Sequence, residues 1–495
     1  MRWSHVGRYY FAVRRLGRFG ERVSRRAHRS ALLLAVLLAV VGGLLIVGIA
    51  WWLLWLLLGA KAETPNQVEL TKIALTVTAG VGGAVALVVS YRRQRDQERA
   101  RFAELFGAAA KQLGDPDVAV RIAGVYAMAG VADEFGAPGR RQQCIDVLCG
   151  YLRLPYEPEA GADHLVSRSE TVEHNGVAVE RRYQFRQNDR EVRRAIVDVV
   201  VAHVRPSAEI SWSDRDFDFA DAVLEDADFR YAVFSGERTY FARAVFTGSR
   251  ATTFEYAKFT GRYVSFRDAV FRGVRTLFDN VTFALRDSAH TEPRGAGLKF
   301  DGAVFGSPVS FHRSIFRGSA VRFRGATFRG ERTSFAEARF LADHVEFGAA
   351  TFEGAQVIFD RAIFGGAQTD ISAALFHAAS TSFAQASFGH PGGRLRRFGS
   401  ATGSVRFDDA EFHGDVSFAR ARLGGREVSF RASDFFGAIT FAGTHFEARE
   451  VRFDRPKAWV GVTFDWDGQP AAKPASVKPD EWPPAPAELP PARSG

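Results

Sequence analysis

Three arginines, Arg394, Arg396 and Arg397, stand among five glycines between Gly389 and Ser404. Guanidinium groups are planar forks of N–H donors that fit carboxylates or phosphates, so a flexible loop carrying three of them suits binding rather than bond-making. No other chemistry-bearing residue has a matching partner. Cys144 and Cys149 are five apart in a helical pattern, a poor register for a shared bond or a metal ion, and they read as reduced core residues. His164 and His174 lie near each other without a complementary ligand pair and read as solvent-exposed. Gly80-Val81-Gly82-Gly83 follows no strand, so it is not a phosphate loop. Asp228, Asp301 and Asp408 read as solvated faces, and Asn280-Val281-Thr282 is a glycosylation sequon by letters only. No catalytic, cofactor-binding or metal-binding residue is expected, and the chain reads as non-enzymatic.

The elements that would carry such groups separate by composition. Residues 1–30 hold nine Arg and one Glu, which accounts for most of the net charge of +9 on 495 residues. The segment 213–465 is nearly neutral at +2, so the basic character belongs to a tail and not to a folded face. Nucleic-acid binding is therefore not expected, because phosphate neutralisation needs basic side chains gathered on one surface. Of 44 Phe, 38 lie between Phe217 and Phe464.

Two uncharged runs, 31–59 and 73–91, read as a transmembrane hairpin, since about 20 apolar residues span a bilayer as a helix. Arginines flank both runs on their outer sides, placing both termini in the cytoplasm of a multi-pass cell-membrane protein. Small residues four apart, Gly80/Ala84 and Ala79/Gly83, offer a face for packing the two spans or for a homodimer.

Residues 92–209 read as a helical cytosolic neck. Phe102, Leu105, Phe106, Ala109 and Leu113 recur at helical spacing until Gly114-Asp115-Pro116. Further helices are expected over Asp117–Phe135, Arg140–Leu154 and Val192–Val204. Between the last two, Asn175-Gly176 joins two alternating segments, the signature of a β-hairpin.

From Val309, seven consecutive units begin twelve residues apart, each placing Phe two after a small residue and, in all but the unit from Thr369, where Ile371 stands, Phe two after a β-branched residue. Phe323/Phe328, Phe335/Phe340 and Phe347/Phe352 show the alternating spacing of five and seven. Residues two apart share one side of an extended segment, so each pair points inward together. A five-residue step leaves room for a short strand and a corner, and successive steps turn about one axis. The product is a stacked coil with Phe on Phe. About 37 steps give about nine coils. Ala284–Gly297 and Gly389–Ser404 interrupt the period, and residues 466–495 read as a Pro-rich disordered tail.

Ala227-Asp228-Phe229, Ala232-Val233-Phe234 and Ala220-Asp221-Ala222-Val223-Leu224 resemble the pentapeptide-repeat motif over residues 210–465. The resemblance implies a right-handed, four-sided β-helix. With two spans and a helical neck ahead of it, the whole chain resembles the membrane-anchored pentapeptide-repeat proteins of actinobacteria. That resemblance implies a non-catalytic, membrane-anchored scaffold that binds an unidentified protein at the cytoplasmic face without a cofactor. A DNA-mimicking topoisomerase regulator is the alternative, and the near-neutral rod counts against it.

Overall fold

Inward positions at spacings of five and seven demand a chain that turns a corner after every short strand. The computed structural model, which describes residues 41–42, 45, 48–49, 51–52, 56, 66–158, 167–174, 177–185, 188–286, 297–389 and 403–485, shows that arrangement. Four parallel sheets of 11, 9, 9 and 9 strands form the sides of a right-handed solenoid of about ten turns. Each strand pairs with its equivalent one coil away, as in Val321↔Val345 and Val345↔Thr369. The coil is 24 residues, twice the repeat read from the sequence.

Phenylalanine fills the interior. Phe300, Phe323 and Phe347 stack with centroids 4.7 Å apart along one side. Phe311 meets Phe323 edge-on at 5.7 Å and 88°, so stacked columns pack against one another in T-shaped contacts. The residue two before every second Phe is small because the chain folds back there: Ala338 donates its N–H to the Phe335 carbonyl at 3.0 Å. Glu337, between them, has φ +57°, the left-handed third position of a tight turn. Arg313, Arg361 and Gln385 take the same conformation in equivalent corners.

The chain divides into two compact units, Met1–Glu104 and Leu105–Gly495. Helix α1 (Asn66–Leu113) begins in the first and ends in the second. In the second unit, α2 (Val118–Glu134), α3 (Pro138–Leu152) and α4 (Asp189–Val204) pack around Val125, Met128, Ile145, Leu148, Ile196 and Val200, all fully buried. Asp117 caps α2, its carboxylate accepting the Ala119 N–H at 2.8 Å. A Cβ on Gly124 would lie 2.6 Å from the Leu113 backbone nitrogen, so α2 needs glycine where it meets the end of α1. The expected hairpin is present as β1 (Ser167–His174) and β2 (Val177–Gln184), in antiparallel register.

Two expectations are corrected. Among the described residues no helix is long and apolar enough to cross a membrane. This overturns the transmembrane hairpin and, with it, the multi-pass placement with both termini cytoplasmic. The run 73–91 lies inside the 48-residue α1, and ten of its 19 positions are Gly, Ala, Ser or Thr, which supply little apolar area per turn. The run 31–59 and the basic tail 1–30 fall almost wholly outside the described residues.

Residues 466–485 are ordered against the rod, not a disordered tail: Val477–Lys478 adds a final strand beside Glu450–Arg452. Trp482 closes edge-on over Phe453 at 5.9 Å and over Phe464 at 5.0 Å. An open last coil would expose its aromatic core to water, and the Trp482 indole covers it.

Candidate functional site

Burying a charge is costly unless it is paired and hydrogen-bonded, so a cluster of buried ions marks a built feature. Arg121 of α2, Asp189 at the start of α4 and Arg193 one turn later are all nearly inaccessible to solvent. Arg121 Nη1 donates to Asp189 Oδ1 at 2.7 Å, and Arg193 Nε donates to Asp189 Oδ2 at 2.9 Å. The Tyr151 hydroxyl is a third donor to this carboxylate, bonding Oδ1 at 2.6 Å. Burial, reinforced by its bond to Asp189, pushes the Tyr151 phenol up, so it stays protonated and donating.

Arg193 spends its other two nitrogens on the carbonyls of Leu152 and Leu154, both at 2.8 Å, satisfying acceptors left open where α3 ends. Its guanidinium lies 4.2 Å from the centre of the Tyr156 ring. Tyr156 in turn donates its hydroxyl to Glu225 at 2.5 Å, and Arg190 pairs with the same carboxylate at 2.8 Å. Burial, with the Glu225 bond, raises the Tyr156 phenol far above its usual value. Glu225 sits on the first coil, so the chain of bonds runs from the helices into the rod. A second link joins the same parts: Trp212 donates its indole N–H to Asp133 at 2.8 Å and stacks on His203 at 4.0 Å.

Tyr151, Asp189 and Arg193 of the cluster line a cleft of about 560 Å³, together with Tyr156 and with Arg182 and Tyr183 of β2. Every residue of β2 is exposed, including the apolar Val177, Val179 and Tyr183. Among the described residues β1 and β2 pair only with each other. The cleft holds donors already committed and phenols held neutral, which suits recognition more than proton transfer.

Arg394, Arg396 and Arg397 lie outside the described residues. The described strands on either side of that segment keep their ladders, Ser387↔Ile363 before it and Ser404↔Gln368 after it. Cys144 and Cys149 are free and buried as expected; burial pushes their thiols up to about 11 and about 12. One group is not apparent from the sequence. The donor atoms of His377, Glu411 and His413 lie within 4.8 Å of one another. The two histidines are 36 residues apart where a regular coil is 24, because the arginine loop intervenes, and that spacing hides their alignment.

Charges on the outer side of the rod pair mainly across coils. Arg313 meets Glu337 at 2.7 Å, Arg243 meets Asp221 at 2.6 Å and Arg322 meets Glu346 at 3.6 Å.

Residues 300–351 match the family model described as pentapeptide repeats (9 copies). No curated protein and no solved structure matches the chain. Those 52 residues span about two coils of the solenoid, and the same inward Phe pattern extends on both sides of them. The chain carries pentapeptide repeats wound into a β-solenoid.

Proposed function

We propose that this protein is a non-catalytic protein-interaction module, in which the solenoid is the rigid support and the helical region with its hairpin is the contact surface. Pentapeptide-repeat solenoids are generally non-catalytic and commonly bind proteins. The observation that carries the reading is the hairpin, a two-stranded ribbon whose second strand is exposed throughout and which borders the cleft over Asp189 and Arg193. Unpaired strand edges with apolar side chains are suited to a partner that adds a strand. The DNA-mimic alternative requires an unneutralised acidic face, and the cross-coil Arg–Glu and Arg–Asp pairs work against one.

The test is proximity labelling from the C-terminus of the full chain in its native cell, repeated with residues 167–184 replaced by a short Gly-Ser turn. A partner that disappears while circular dichroism is retained supports the hairpin surface. An unchanged partner set rejects it. Deletion of residues 390–402, which removes Arg394, Arg396 and Arg397, tests the arginine loop in parallel.

A further inference from the structure

His377 and His413 occupy equivalent places on adjacent coils. Leu375 pairs with Glu411 and Phe376 with Phe412 in parallel register, so the residue after each Phe also falls side by side. The His413 N–H donates to the Phe376 carbonyl at 3.0 Å, continuing the ladder to that point. Their rings stand 4.4 Å apart with planes at 82°. Glu411 is two residues before His413, hence on the same side of the strand, and its Oε2 lies 3.0 Å from His413 Nε2. Phe436, on the next coil, lies against the His413 ring at 4.6 Å and 19°, which limits its rotation.

We infer that His377, Glu411 and His413 form a binding site for a divalent transition ion of the zinc type. Two imidazole nitrogens and one carboxylate oxygen suit Zn²⁺, Co²⁺, Ni²⁺ or Cu²⁺, whereas Mg²⁺ and Ca²⁺ want oxygen alone. Ligands about 2.0–2.1 Å from a tetrahedral ion are about 3.3 Å from one another. The His413–Glu411 pair is already near that separation, the donor atoms of all three residues lie within 4.8 Å of one another, and His377 is exposed. The backbone does not have to move, because the inter-coil ladder fixes all three Cα atoms. The site opens to solvent, leaving the fourth position to water.

The experiment uses the full-length chain without a histidine tag, titrated with Zn²⁺ by calorimetry and with Co²⁺ by visible absorption. The wild type takes up an equivalent that gives tetrahedral Co²⁺ bands. His377→Gln and Glu411→Gln each weaken that equivalent by at least about tenfold, and the double variant His377→Gln/His413→Gln loses it with circular dichroism unchanged. His344→Gln, an exposed histidine on another coil, leaves it intact. Uptake and spectrum unaltered in the double variant would overturn the assignment, as would a wild type with no tetrahedral Co²⁺ band.

Discussion

Phe347 lies flat on Phe323, with ring centroids 4.7 Å apart and planes within 2° of parallel. That distance is the rise of one coil, set by backbone hydrogen bonds between parallel strands. The ladder and the aromatic column therefore share a single period. Phe335 meets Phe347 edge-on at 5.6 Å, so each ring is held by a stack along the axis and by neighbours across it.

Phe347→Asp will unfold the rod locally, whereas Glu346→Lys will be nearly neutral. Burying a Phe side chain contributes about 1.5–3 kcal/mol, and a buried unpaired carboxylate adds its own cost. Glu346 is half-buried, with Arg322 on one neighbouring coil and Asp370 on the other. A lysine there exchanges one ionic neighbour for another. Denaturant melts of the two variants check this, and equal destabilisation would reject the inward placement of Phe347.

Thr333→Val will stabilise the rod. Thr333 is fully buried between Val309 and Val357 in the same ladder, and its hydroxyl finds no hydrogen-bond partner. An orphaned buried hydroxyl costs about 1–3 kcal/mol, and valine keeps the branched shape without it. A lower denaturation midpoint than wild type would contradict the assignment.

Asp189→Ala will destabilise the helical region by about 3–5 kcal/mol, because it leaves Arg121 and Arg193 buried without their carboxylate. Fluorescence of Trp212, which sits where helices and rod meet, reports the loss. A melt unchanged from wild type would show that the ion cluster does not hold the helices.

Cys144 and Cys149 will resist a thiol reagent in the native protein at pH 8 and react on unfolding. Their folded pKa values, raised by burial from 9.0 to about 11 and about 12, keep both neutral. Because the unfolded thiols ionise first, their contribution to stability is complete below pH 9 and is lost as pH rises toward 11–12. Fast native labelling, or base stability unaltered in Cys144→Ala/Cys149→Ala between those values, would contradict the burial.

Local periodicity made the rod legible in the amino-acid sequence. Phe two residues after Ala or Val sets which side of a strand faces inward, and repetition every twelve residues dictates a stacked coil, since each unit can bury its face only on the next. Asp117, Gly114-Asp115-Pro116 and Asn175-Gly176 likewise mark their helix start, helix stop and hairpin through the backbone angles and caps those residues favour. Contacts between residues far apart in the chain carry no such signal and emerge only in three dimensions. Asp189 and Arg121 are 68 residues apart and follow no period, yet they meet as a buried, hydrogen-bonded pair. Trp482 sits in an aperiodic Pro-rich stretch and finds its role only because the last coil leaves an aromatic face uncovered. His377 and His413 come together through the register of the ladder, which the intervening loop conceals in the sequence and the inter-coil hydrogen bonds restore in space.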